Sequence, residues 1–425
     1  MERFFGLIGI ILILLTAFLM SNNKKRINLK TIGVGLLLQI FLAIFVLKIP
    51  FGQKMFSAIG IFIEKILQFS IEGGNFVFGF LTGSPQETAT LFGSNSFIFA
   101  LQLMVTFIFI MMLVNILYYY GIMQRIVAFL GLIMNKLLDI SGAEALSNVA
   151  SPFVGQVSAQ MMIKKYLPNL TRSEILASMT GSMACISAGV MAIYVGMGIP
   201  AEYLLAASIM AAPGAIVIAK IVYPETQEPE TMKDIKISRR KTSVNVVDAI
   251  AKGAVEGMKV ALNVIAMLIA LVALIAMIDF FLGKLGLFMV NTLHLNFSAI
   301  GIDLNHLSLK MLVGKIFAIF AYFMGVAAQQ AGMVGELMGT KFILNETIAY
   351  TDLMQIKEML SEKSFIIATF ALCGFANIGS VAMQIGGIGE IAPNIRKHLS
   401  RFGFKALICG TLASYLSACI AGILL

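Results

Sequence analysis

Apolar residues in this chain come in long unbroken runs rather than in the short alternations of a half-buried sheet. Runs near 4–20, 31–49, 97–118, 176–197, 203–222, 258–282, 364–390 and 404–425 are each about as long as one bilayer crossing requires. They predict eight transmembrane helices. Two further runs, near 145–167 and 308–345, are interrupted by Gly, Pro and polar residues and read as re-entrant hairpins. Non-helical backbone at membrane depth survives only where protein or a water-filled cavity covers it, so such hairpins mark a site. Two weaker stretches carry apolar residues at helical spacing. Ile59, Phe62, Ile66 and Phe69 fall within 52–80, and Ile122, Ile126, Phe129, Ile133 and Leu137 within 119–139. Each predicts an amphipathic helix lying along the surface.

A mixed-charge linker over 224–241 divides the chain into halves with the same plan: a broken hairpin, a Gly-interrupted span, then an ordinary span. That plan predicts an inverted repeat with a polar site near the bilayer midplane. The predicted organisation is all-α and polytopic. N-terminal spans and a surface helix occupy 1–96, and a scaffold span with an interfacial helix occupies 97–140. The first repeat covers 141–223, the linker and a scaffold span 224–307, and the second repeat 308–425.

Composition agrees with this class. With 59% hydrophobic and 12% charged residues and a mean hydropathy of +0.92, the chain is not an ordinary soluble protein. The net charge of +9 is topological information, because the basic residues gather in particular loops. Lys24, Lys25, Arg26 and Lys30 mark the first loop as cytoplasmic; Lys233, Lys236, Arg239, Arg240 and Lys241 mark the linker; Arg396, Lys397, Arg401 and Lys405 precede the last span. Alternation then places both termini, and the loops near 198–202, 283–307 and 351–363, outside the cytoplasmic membrane. No basic patch is interleaved with exposed aromatics, which argues against a nucleic-acid partner. Cys185, Cys373, Cys409 and Cys419 all fall in apolar segments without a CxxC pair, so neither disulfides nor a metal site is expected. The N-terminal run lacks a small-residue cleavage site and reads as a retained span. No HExxH or GxSxG motif appears, and no cofactor or enzymatic activity is expected.

Polar side chains in apolar surroundings carry the remaining information. Leu344-Asn345-Glu346-Thr347 sets a carboxylate at membrane depth, where insertion costs about 2.5–3.5 kcal/mol and an acid usually faces a cavity, a partner or a substrate. Glu346 can accept from two hydroxyls of a polyol; the alternative is a structural acid neutralised by Lys341 or by helix-end amides. Asn377 and Ser380 share a face if helical, as ligands or as caps where the span breaks. Phe375 stacks on a planar ligand or packs in the core. Gln156, after Gly155 at a hairpin tip, both donates and accepts, which suits a nucleobase edge or a capped turn. Glu144, behind Ser141, reads as an N-terminal helix feature.

These segments resemble the concentrative nucleoside transporters along nearly the whole chain. Three stretches carry the resemblance: Asn245 to Ala249 with Gly253, Gly257 and 261–270; Gly339 to Glu346 with Ala349-Tyr350; and Cys373-Gly374-Phe375-Ala376-Asn377-Ile378-Gly379-Ser380. The resemblance implies a homotrimer whose protomers each have a pathway, eight spans, two hairpins and an elevator-like transport domain moving against a scaffold. It implies import of a nucleoside with its ribose on Glu346, Asn377 and Ser380. Gln156, Val157, Ser158, Val190 and Phe375 complete the substrate set. Family sodium sites map onto Ser151, Val154, Cys185 and Ile186.

The chain departs from the family where the base and the cation would lie. The usual Gly-Gln-Ser/Thr-Glu-Ala-Pro reads Gly155-Gln156-Val157-Ser158-Ala159-Gln160, so a hydroxyl and a carboxylate are gone from the base subsite. Ala327-Ala328 stand where Pro-Trp is common, and Gln329 and Gln330 where acids are usual. A thiol at Cys185 is a poor ligand for a hard cation. Coupling stays open at this point between sodium, a proton and none. An uncoupled facilitator or channel, and a nucleoside-binding membrane sensor, are the alternatives to a coupled transporter.

Overall fold

The computed structural model describes residues 2–82, 98–232, 243–294 and 303–425, and every regular element among them is helical. The helices are α1 (Glu2–Leu19), α2 (Leu29–Leu47), α3 (Pro50–Phe78), α4 (Phe99–Tyr119), α5 (Ile122–Leu138), α6 (Gly142–Val154), α7 (Ser158–Met162), α8 (Arg172–Ala184), α9 (Ala188–Gly196) and α10 (Ala201–Val222). After the linker follow α11 (Val246–Asn291), α12 (Leu309–Phe323), α13 (Ala331–Ile343), α14 (Glu346–Gln355), α15 (Glu362–Leu372), α16 (Ile378–Ile391) and α17 (Arg396–Leu424). By length and composition, six helical segments among the described residues are apolar enough to cross a membrane: α2, α4, α8 with α9, α10, α11, and the segment ending in α17. The other two of the eight expected spans are the shorter α1 and the interrupted pair α15–α16. The basic cluster from Lys233 to Lys241 lies outside the described residues.

The order of elements recurs. A helix (α5), a helical hairpin (α6–α7), a helix broken in the middle (α8–α9) and a long helix (α10) are followed, after α11, by α12, α13–α14, α15–α16 and α17. The boundaries of the second hairpin differ from the expectation of 308–345. Residues 309–323 form the separate helix α12, and the hairpin turns at Leu344-Asn345, so Glu346 opens the return helix α14. Gly325, with a positive φ of 96°, serves the α12–α13 turn. The functional turn has neither Gly nor Pro. Asn345 makes it by capping α14, its side chain accepting from the Ile348 N–H at 3.1 Å.

Both amphipathic stripes are helical but mostly face away from the rest of the chain, except that Ile66 of α3 is half-buried against the core. Ile122, Ile126, Phe129, Ile133 and Leu137 are exposed on α5, while Met123, Val127, Gly131, Met134 and Leu138 are buried. On α3, Ile59, Phe62 and Phe69 are exposed and Gly52, Phe56, Gly60, Leu67, Ser70 and Gly74 are buried. In lipid an apolar stripe gains nothing by facing protein, so periodicity alone does not choose the packed face, and small residues such as Gly52, Gly60 and Gly74 let α3 approach its neighbours closely. The same rule governs α11. The surface helix and the scaffold span are one 46-residue helix, on the order of 69 Å long, which also absorbs the first part of the loop expected at 283–307. Ala249, Gly253, Gly257 and Ala261 recur every fourth residue and are buried. A Cβ at Gly257 would come within 2.6 Å of the Ile108 Cα, so α4 and α11 lie backbone to backbone.

Candidate functional site

The two broken helices meet at their breaks. Phe375 N–H donates to the Cys185 carbonyl at 3.2 Å, and the Ser414 hydroxyl donates to the Cys373 carbonyl at 2.9 Å and to the Ala184 carbonyl at 3.3 Å. Gly374 sits in this crossing with φ 145°; a Cβ there would lie 2.8 Å from the Ala184 carbonyl oxygen. The helices resume at Ser187 and Asn377. The Asn377 side chain caps α16 by accepting from Ser380 N–H at 2.8 Å. The first hairpin turns at Gly155, whose φ of 90° favours glycine.

Around this crossing lies a cavity of about 190 Å³, lined by every residue of the expected substrate set: Gln156, Val157, Ser158, Val190, Glu346, Phe375, Asn377 and Ser380. Its polar floor comes from the hairpin turns and helix breaks. Its apolar wall comes from α4 and α11 through Leu103, Phe107, Met111, Val260, Val264 and Met267.

Glu346 is 5% exposed and doubly held. Its Oε2 accepts from the Asn377 amide at 3.0 Å, and its Oε1 accepts from the Tyr194 hydroxyl at 2.9 Å. Tyr194, buried on α9, also pairs with the Thr347 hydroxyl at 3.0 Å. Sequence reasoning missed Tyr194. Its only signal is a phenol in an otherwise apolar nine-residue helix, and nothing local says that α9 faces α14. Lys341 is buried but does not ion-pair with Glu346; its ammonium donates to the Ala371 carbonyl at 2.9 Å, near the C-terminal end of α15. The carboxylate is thus oriented by neutral donors, leaving lone pairs for ligand hydroxyls.

The opposite end of the cavity is different. Gln156 donates to the Met383 sulfur at 2.8 Å and accepts from Gln384 at 3.4 Å; Gln384, fully buried, also donates to the Met179 carbonyl at 3.3 Å. Val157 packs against Gly387, where a Cβ would meet its methyl at 2.7 Å. Val157 and Ser158 put a methyl surface and one hydroxyl where an acid and a hydroxyl are usual in the resembled family. Glu144 is no part of this site. It forms a capping box with Ser141 at the start of α6 and pairs with buried Lys220.

Of the set expected for a hard cation, Ser151, Val154, Cys185 and Ile186, the Ser151 and Cys185 side chains already have partners. Ser151 donates to the Ser147 carbonyl at 2.7 Å and pairs with Ser182 at 3.0 Å. The Cys185 thiol turns to the Gly181 carbonyl at 3.3 Å, and the Cys185 carbonyl takes the Phe375 N–H. The two side chains of this set, a hydroxyl already hydrogen-bonded twice and a thiol, suit a sodium ion poorly, while Val154 and Ile186 would offer only their carbonyls.

An all-helical fold with crossing helix breaks around a buried carboxylate at a hairpin turn fits a membrane transport protein, and comparison with known proteins places it further. The family model for the Na+ dependent nucleoside transporter C-terminus matches residues 203–422, that for the N-terminus matches 8–81, and a model described as nucleoside recognition matches 100–201. The chain belongs to this nucleoside transporter family. It is 37% identical to the nucleoside permease NupC of Helicobacter pylori, covering 99% of this chain and 97% of that one. It is 32% identical to sodium/nucleoside cotransporter 1 of Rattus norvegicus, covering 100% of this chain and 64% of that one. The solved structure of CNTnw in an inward-facing substrate-bound state superposes with a TM-score of 0.90 at 36% identity, covering 100% of this chain and 98% of that one. The chain is therefore a membrane transporter and not an enzyme.

Proposed function

We propose that this protein imports nucleosides or nucleoside-like compounds across the cytoplasmic membrane by secondary transport. Ribose hydroxyls bind Glu346, Asn377 and Ser380, while the base lies between Gln156 and Phe375, bordered by Val157, Ser158 and Val190. The supporting observation is the 3.0 Å bond between Asn377 and Glu346, which joins a hairpin turn to a helix break on the cavity floor. A carboxylate fixed in this way recognises vicinal hydroxyls and is costly to leave uncompensated. The two similar halves form a transport domain with inverted topology and re-entrant hairpins. It slides along the apolar wall of α4 and α11, and three copies associate through the exposed apolar faces of the scaffold. Both chain termini lie outside the cytoplasm.

Reconstituted protein is expected to take up radiolabelled uridine or adenosine, with free bases competing far less well than nucleosides. Equal stabilisation by free bases in a melting-temperature panel would remove the ribose-centred site. Accumulation above the external concentration separates coupled transport from an uncoupled facilitator, and binding without flux would identify a sensor.

A further inference from the structure

Beside the cavity, the C-terminal ends of α6 and α8 converge behind the first hairpin turn. Helix C-termini carry partial negative charge, and two of them together call for donors or a cation. Here a chain of side-chain hydrogen bonds crosses between the two helices. Gln160, buried on the return arm of the hairpin, donates through Nε2 to the Ser182 hydroxyl at 3.0 Å, and its Oε1 accepts from the Ser178 hydroxyl at 2.6 Å. Ser151 spends its proton on the Ser147 carbonyl at 2.7 Å, so in its 3.0 Å contact with Ser182 the Ser182 hydroxyl is the donor. The bonds run one way, from the Gln160 amide through Ser182 and Ser151 to the Ser147 carbonyl. A directed chain of this kind is strengthened by mutual polarisation. It ties the hairpin's return arm to α8 and α8 to α6.

We propose that Gln160 locks the first hairpin to the broken helix in place of a bound cation, so that transport by this protein does not depend on sodium. This rests on the nucleoside-transport reading above, but the lock itself is a property of the chain alone. The Ser151 hydroxyl already donates to Ser147 and accepts from Ser182, and the Cys185 thiol and carbonyl have partners on Gly181 and Phe375. The second half of the fold supports the same logic. There α13 and α15 converge, and the tethered ammonium of Lys341 supplies the donor by binding the Ala371 carbonyl at 2.9 Å. Both junctions are bridged by side chains of the protein.

The test has two arms. Purified protein is melted in sodium chloride and in choline chloride at equal ionic strength, since an ion raises stability only by binding the native state. The expected result is the same melting temperature in both salts. Gln160→Ala combined with Cys185→Ser removes the lock and supplies a hydroxyl, and is expected to gain a sodium-specific rise. A sodium-specific rise in the unaltered protein would overturn the proposal, and the absence of any gain in the double variant would remove Gln160 as the occupant. Should that variant not fold, Gln160→Ala alone, which removes the lock and keeps the Cys185 thiol, is expected to show a smaller sodium-specific rise. In the second arm, uridine uptake into proteoliposomes is expected to be unchanged when choline replaces sodium; strong sodium stimulation would overturn the proposal. Failure of uptake under every gradient would instead contradict the transport reading and leave the melting arm to decide the lock.

Discussion

Tyr194 and Glu346 share a hydrogen bond of 2.9 Å across 152 residues of sequence. It joins the first broken helix to the turn of the second hairpin, so the two halves of the fold meet at the one acid on the cavity floor. Bonds to a charged group contribute about 1.5–3 kcal/mol, roughly a ten- to hundredfold change at 1.4 kcal/mol per decade. Tyr194→Phe is accordingly expected to raise the KM for nucleoside uptake by at least tenfold while leaving the protein folded. Glu346→Gln is expected to abolish uptake. Normal transport by a well-folded Glu346→Gln protein would remove the ribose assignment.

Val157 and Ser158 predict an altered base preference. Their methyls and single hydroxyl cannot accept from a base as a carboxylate can. The double substitution Val157→Thr, Ser158→Glu is expected to shift the ranking of nucleosides in a competition assay toward pyrimidines. An unchanged ranking would show that these positions do not read the base.

Gly374 predicts a structural defect with a local cause. A methyl there meets the Ala184 and Met183 carbonyls and the Ser414 hydroxyl, all within 2.9 Å. Overpacking of this kind costs about 1–3 kcal/mol. Gly374→Ala is expected to lower the melting temperature and slow uptake together. A variant with wild-type melting and uptake would mean that the helix breaks separate without cost.

Lys220 and Glu144 form a buried ion pair away from the cavity, with Ser173 accepting from the same ammonium at 2.9 Å. Removing one partner strands a buried charge, at about 3–5 kcal/mol. Lys220→Met is expected to destabilise the protein strongly. Adding Glu144→Gln is expected to recover much of the loss, which a double-mutant cycle in melting experiments would measure.

The six helical segments long enough to cross a membrane were legible because bilayer thickness sets a length that composition alone can satisfy. Glu346, Asn377 and Ser380 were legible because a polar group in an apolar run has few harmless explanations. Gly253 and Gly257 stood out in the sequence, but their role in seating α11 on α4 did not, since helix approach is a property of two elements. The exposed stripes on α3 and α5 show the converse. Periodicity gave the helix, yet the predicted stripe was not the packed one: on α5 the neighbouring apolar row from Met123 to Leu138 is buried instead.

What the chain alone determined is therefore what each segment must avoid: unpaired backbone in lipid, and an unpartnered acid at depth. What tertiary structure decided is who meets whom. Tyr194 reaching Glu346, Gln160 reaching Ser182, and Lys341 turning from Glu346 to the Ala371 carbonyl all depend on helix breaks crossing in space. No local pattern encodes that crossing, because it follows from the summed packing of both halves.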